Sequence, residues 1–275
     1  VIGIDAGAFN AWEAAGWEQR AEAYHRYFSS LTGRMNGPLL DLAAVAAGRR
    51  VLDVACGPGH LAAAAAARGA VATGIDVAGA MVRLASRLHP GAEYTRADAE
   101  DLPFPDGTFD AVVGNLAILH IGRPERAVAE FARVLVPGGV LVLSTWDKPA
   151  VGRLPGIFFQ AIQEVGVEPP PDLPPGPPFY RFADEAEFGR LLRGAGLRDV
   201  SVATVAYSHR FPGVDELWHW MLDGTVRSAV MVTAQPKDTQ DRIHEILARL
   251  ADEYRDGATG ELEIPVSLKV AHGHR

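Results

Sequence analysis

Between residues 50 and 146 the chain alternates short apolar, β-rich runs with segments whose apolar positions recur every three to four residues. Arg50-Val51-Leu52-Asp53-Val54-Ala55 reads as a strand, Leu61 to Arg68 as a helix, Val71 to Asp76 as a strand and Ala78 to Leu88 as a helix. The rhythm continues with a weak strand near Ala92 to Arg96, a stronger one at Phe109 to Asn115 and a helix over Pro124 to Leu135. A strand at Val140 to Thr145 follows, announced by Pro137-Gly138-Gly139. Strands this uniformly apolar belong in a parallel sheet covered on both faces by helices. The predicted fold class is therefore α/β, a doubly wound, mostly parallel seven-stranded sheet.

Two regions break the rhythm. Residues 1–45 are helical in pattern and carry Trp12, Trp17, Tyr24, Tyr27 and Phe28 among charged positions, which predicts an N-terminal helical lid on the core at 46–148. Residues 149–182 hold nine of the 19 prolines, and these suit neither a regular helix nor an inner strand. A stiff surface crossover and a substrate-shaping loop are both open there. A core helix (Asp184 to Ala195) and strand (Val200 to Tyr207) return over 183–211. A Trp-rich helical pair, Val214 to Ala229 and Lys237 to Tyr254, forms a cap over 212–260, and a last strand, Ile264 to Ala271, lies in 261–275.

Composition narrows the partners. Of 275 residues 48% are apolar and 22% charged, the profile of an ordered globular chain, and the net charge of −8 disfavours nucleic acid and anionic membranes. The one cysteine, Cys56, forbids an intramolecular disulfide and a four-cysteine zinc site, and suits a reducing compartment. The longest near-apolar stretches fall far short of a membrane span, and Val1 to Asn10 lacks a basic leader. A soluble cytoplasmic protein without membrane insertion is expected, with self-association into a homo-oligomer left open.

The candidate chemistry sits at the strand ends. After the first strand the chain turns through Ala55-Cys56-Gly57-Pro58-Gly59 into an alanine-rich helix, a place where glycine admits close ligand approach. A dinucleotide site would carry G-x-G-x-x-G there, but His60, Leu61 and Ala62 follow without a third glycine. An NAD-dependent oxidoreductase is thus poorly matched. Asp53 on the strand would repel phosphate and suits an ammonium group. Twenty-three residues on, Asp76 ends the second strand before Val77, where a carboxylate accepts hydrogen bonds from ribose hydroxyls. A further 22 residues on stands Asp98, able to accept from an exocyclic amine, with Ala99 leaving room for a flat ring. Any one of these acids alone could be a helix cap. Three in register with a glycine turn point at one adenosine crevice.

Leu52-Asp53-Val54-Ala55-Cys56-Gly57-Pro58-Gly59, Gly74-Ile75-Asp76, the stretch from Ala97 to Asp110 and Arg133-Val134-Leu135-Val136-Pro137-Gly138-Gly139 resemble the class I S-adenosylmethionine-dependent methyltransferases. The branch they are most similar to is the ubiquinone/menaquinone-biosynthesis and sterol type, over about residues 48 to 146. The resemblance implies the Rossmann-like methyltransferase fold with helical cap elements, and S-adenosylmethionine as cofactor. It implies that Asp53 and the turn of Ala55, Cys56, Gly57 and Gly59 hold the methionine part, Asp76 with Val77 beside it the ribose, and Asp98 with Ala99 the adenine. Asn115 and Leu116 would wall the sulfonium. Met81 would pack on the adenine or simply fill the helix core. Ala55 departs from the pattern, since many members carry glycine there.

Methyl transfer is an in-line displacement in which positioning does most of the work and a base is optional. His120, just past the fourth strand, stands where related enzymes often carry a histidine facing the acceptor; capping or packing the next helix is its other reading. Asp147 could orient or replace it, or be an ordinary turn aspartate. No metal site is expected. Tyr24, Tyr27, Phe28, Trp146 and Trp218, with Trp220 and Met221, could line an apolar acceptor pocket, although Trp218 and Met221 also fit the buried face of a helix. The function expected is methylation of an apolar or natural-product-type small molecule. A cofactor-binding scaffold or a cyclase that transfers no methyl is the alternative.

Overall fold

The structure is a computed structural model and describes residues 5–275, so Val1 to Ile4 of the expected lid lie outside the described residues. Two helices, α1 (Ala6–Thr32) and α2 (Asn36–Leu42), precede β1 (Arg50–Val54), α3 (His60–Ala67), β2 (Val71–Asp76), α4 (Gly79–Leu88), β3 (Glu93–Arg96), β4 (Phe109–Gly114), α5 (Pro124–Val134) and β5 (Leu135–Trp146). After them come α6 (Arg153–Val165), α7 (Glu185–Gly194), β6 (Arg198–Phe211), α8 (Val214–Gly224), α9 (Arg227–Thr233), α10 (Lys237–Asp252) and β7 (Leu262–His274). The strands form one sheet in the order β3-β2-β1-β4-β5-β7-β6. Pairing among β1 to β5 is parallel, and β7 runs antiparallel between β5 and β6.

Period-two alternation sorts the core onto two faces. Val51, Val113 and Val142 pack with Leu39, Leu61 and Ile157 of α2, α3 and α6, whereas Leu52, Val112 and Leu141 pack with Phe131 and Leu192 of α5 and α7. Local chemistry sets the helix ends. Pro124 opens α5 with no N–H to leave unpaired. The Asp184 carboxylate caps α7 by accepting from the Glu187 N–H at 2.8 Å. Gly166 closes α6 with φ of 77°.

Three expectations are corrected. The proline-rich segment contains a regular helix, α6, because Pro155 falls in its first turn, where an amide N–H has no helical partner; the crossover proper begins at Gly166. The cap is three helices rather than a pair, since the first breaks at Gly224 and resumes as α9. β5 starts at Leu135, so Pro137-Gly138-Gly139 lies inside the strand instead of announcing it.

Helix α1 rests on α4 and α8 and spans the strand ends. Its exposed ion pairs to α4, Glu18 with Arg83 and Glu22 with Arg87, contribute little in water. A row of imidazoles ties it closer in: His25 Nδ1 lies 3.0 Å from His60 Nε2, and His60 Nδ1 lies 2.9 Å from His89 Nε2. Burial and the two neighbouring rings push the His60 pKa down to about 4. The folded state thus resists a proton that the unfolded chain accepts near 6.5, so this stabilisation is full above that pH and is lost as pH falls toward 4. We expect the melting temperature to drop between pH 7 and pH 4.5, and His60→Gln to flatten that slope. An identical acid slope in the variant, followed by circular dichroism, would remove the imidazole row as its source.

Candidate active site

The turn after β1 runs through left-handed backbone. Ala55, Gly57 and Gly59 have φ of 50°, 53° and 84°, a region in which a Cβ is disfavoured. Two carboxylates hold the turn in place: Gly57 N–H donates to Asp76 Oδ2 at 2.9 Å, and Ala62 N–H donates to Asp53 Oδ2 at 3.0 Å. A Cβ on Gly59 would stand 2.7 Å from the Tyr94 ring, so glycine there serves packing; one on Gly57 would point at Tyr24, 3.6 Å away.

Between β1 and β4 the strand order reverses, and in open α/β sheets the crevice at such a point takes ligands. Three spaces meet there. A cleft of about 110 Å³ has Asp76, Val77, Met81, Asp98 and Ala99 on its walls, and a recess of about 30 Å³ lies beside Asp53, Ala55 and Cys56. An apolar chamber of about 410 Å³ opens on the other side of His120 and Leu116, which border both it and the cleft. Ala55 and Asn115 border cleft and recess, and Tyr24 borders all three.

Acids dominate the cleft and recess. Glu13, Asp76, Asp98 and Asp53 line them, with no Lys or Arg among the described residues. Asp53 and Asp76 are 2% and 7% exposed, and burial raises their pKa values to about 8 and about 6 against the pull of the backbone N–H groups of Ala62, Ala78 and Gly57. Burial beside these carboxylates pushes the Cys56 thiol up as well, which makes it an inert wall.

His120 is held from α1. Its Nδ1 lies 3.0 Å from Glu13 Oε2, which also accepts from Trp17 Nε1 at 3.0 Å. A carboxylate has no proton to give, so Nδ1 carries the hydrogen of this pair. Glu13 Oε1 is buried without a partner. The rings of His120, Trp17 and Tyr24 meet edge to face at 5.2 and 5.3 Å, and Tyr24 stacks on Phe28 at 4.9 Å. Asn115 is fixed by donating to Thr32 O at 3.0 Å and accepting from Ser144 Oγ at 2.7 Å; Leu116, with φ of 56°, donates to the same Oγ at 2.9 Å.

The structure gathers most of the expected site residues and displaces three. Asp147 borders none of the three spaces; its carboxylate accepts from Ser267 Oγ at 2.8 Å and faces Lys269 at 3.6 Å, tying β5 to β7. Tyr27 faces a separate polar recess with Arg20, Arg26 and Asp223. Trp218 packs on Phe158 and His244, and Trp220 takes the place on the chamber wall beside Trp146 and Phe28. Asn10, Glu13 and Arg227 went unsingled in the sequence. Asn10, Glu13, Trp17, Tyr24 and Phe28 do lie at helical spacing, and a glutamate inside that aromatic stripe was the available signal. Among the described residues no group of three or more His, Cys, Asp or Glu is placed to hold a metal ion, and no helix is long and apolar enough to cross a membrane.

Comparison with known proteins places the chain in a family. The family described as Methyltransferase domain matches residues 52–143. The ubiquinone biosynthesis O-methyltransferase of Chromobacterium violaceum is 35% identical over 176 residues, 62% of this chain and 73% of that protein. The demethylmenaquinone methyltransferase of Renibacterium salmoninarum is 34% identical over 127 residues, 46% of this chain; the match spans 54% of that protein, about half its length. The fold is shared with phosphoethanolamine N-methyltransferase 2 of Haemonchus contortus, solved with phosphomonomethylethanolamine and S-adenosylhomocysteine (TM-score 0.56, 16% identity, 94% of this chain and 57% of that one). The chain belongs to the S-adenosylmethionine-dependent methyltransferases.

The departure at Ala55 has a measurable consequence. A left-handed alanine costs about 1–2 kcal/mol, whereas glycine loses about 0.4–1 kcal/mol more on ordering. Ala55→Gly should therefore stabilise the fold by up to about 1.5 kcal/mol in urea unfolding, and a destabilised variant would show that the methyl group packs well enough to outweigh the backbone strain.

Proposed function

We propose that the chain transfers a methyl group from S-adenosylmethionine to an apolar small-molecule acceptor. The observation that carries this reading is an acidic cleft without cationic side chains that opens onto an apolar chamber across His120 and Leu116. The donor set fits a cationic nucleoside and rejects a phosphate-bearing one. On this reading Asp98 with Ala99 holds the adenine, Met81 packs beside it and Asp76 with Val77 binds the ribose. Asp53 pairs with the ammonium group in the recess, which Ala55 and Cys56 border and whose turn Gly57 and Gly59 shape, and Asn115 and Leu116 wall the sulfonium. Bound there, S-adenosylmethionine supplies a methyl group activated by its positive sulfur.

The protein's own part is to orient and to move a proton. His120 Nε2 takes the proton of the acceptor, and Glu13 steadies the imidazolium through Nδ1, the division of labour of a histidine backed by a buried carboxylate. Phe28, Trp146 and Trp220 exclude water around the acceptor. The quinone-biosynthesis relatives support an acceptor with a ring and an apolar body.

Two measurements test this. Without a cation in the recess Asp53 is largely protonated near neutral pH, and an ammonium group beside it favours the carboxylate. Affinity for S-adenosylhomocysteine should thus rise with pH up to about 8, and binding at pH 7 should release close to one proton, read by calorimetry in buffers of different ionisation enthalpy. Heat independent of buffer, or release that persists in Asp53→Asn, speaks against the assignment. Methyl-labelled cofactor incubated with alkylated hydroquinones and catechols should yield labelled ethers, and His120→Ala should slow transfer by roughly 10²–10⁴ with S-adenosylhomocysteine affinity nearly unchanged. Tight cofactor binding with no label transferred to any acceptor would favour the cyclase or scaffold alternative.

A further inference from the structure

The chamber wall is apolar except at a few points, and among the described residues its one permanent charge is Arg227. This guanidinium is half-buried. Its Nη1 donates to Pro174 O at 2.9 Å, and its centre lies 5.1 Å from the Phe9 ring and 5.4 Å from the Trp12 ring. Its other N–H groups have no protein acceptor among the described residues, and no carboxylate there comes within ion-pair distance of it. The carboxylate that acts on it from a distance, Glu13, has Oε2 engaged by His120 and Trp17, and its Oε1 makes no hydrogen bond to Arg227. An arginine presents five donors in a rigid fork matched to oxyanions, and holding the charge beside an apolar space is unfavourable until an anion meets it.

We infer that the chamber binds an acceptor with an apolar ring-bearing body and an anionic carboxylate-type group, and that Arg227 receives that group while the reacting atom lies toward His120. This rests on reading the chamber as the acceptor site. A net charge of −8 repels anions at large, so any preference for one must arise locally.

The test uses dyes of one shape and two charges. The sulfonate 8-anilinonaphthalene-1-sulfonate and the neutral N-phenyl-1-naphthylamine are titrated into the intact protein, with energy transfer from tryptophan, of which Trp17, Trp146 and Trp220 line the chamber, reporting entry. Arg227→Met should weaken the sulfonate at least tenfold and leave the neutral amine within about twofold. Equal sulfonate affinity in the folded variant, or parallel loss of both dyes, overturns the inference. Should the methionine variant fail to fold, the unmodified protein still decides: 1-naphthoate should displace the neutral dye at least tenfold better than its methyl ester, and equal displacement refutes an anion-selective wall. Neither readout involves cofactor or turnover, so failure of methyl transfer and failure of anion recognition are separately visible.

Discussion

Two carboxylates kept nearly dry, with no cation at hand, are the constraint on which the site depends. Buried Asp53 and Asp76 would be prohibitive as unpaired charges, so the backbone supplies the partners: the N–H groups of Gly57, Ala62 and Ala78 point at them. Aiming those groups inward forces the turn from Ala55 to Gly59 through left-handed backbone, which in turn fixes where α3 begins. Laying α1 over the same crevice completes the burial. The carboxylates are thereby poised to ionise when a positive group arrives, and the cleft carries a preference for cations before any ligand is present.

The sheet and the acidic ladder were legible because their signals are local. β1, β2, β4 and β5 are apolar enough to identify alone, the polar β3 follows from its place in the alternation, and Asp53, Asp76 and Asp98 sit at strand ends by simple spacing. The residues that were misplaced are those whose direction is settled by distant chain. Trp218 and Trp220 are two positions apart on one helix, and only its packing against α6 and α10 decides which of them faces inward. Asp147 follows a strand that looks like its parallel neighbours, yet antiparallel pairing with β7 draws its carboxylate to Ser267, 120 residues later. Glu13 shows the same limit: its helical stripe is visible in sequence, but its partner His120 is 107 residues away.

The chamber is assembled from such distant pieces: α1, the loop after β4, the end of β5, α6 with the segment after it, and the α8–α9 region. The proline-rich segment continues past α6. It crosses the surface as a stiff connection, and Pro169, Pro175 and Pro177 also border the chamber. Proline has little conformational freedom left to lose, so a wall made of it is already ordered before any guest enters.

Tyr24 is a party wall. It borders the cleft, the recess and the chamber at once, stands over the glycine turn, and is buttressed by Trp17 on one side and Phe28 on the other. A side chain so shared cannot yield to a guest in one room without resizing the other two. Occupancies of the three spaces are therefore thermodynamically linked, each altering the free energy of filling its neighbours by the same amount in both directions. The three spaces thus share one adjustable boundary, the phenol ring of Tyr24.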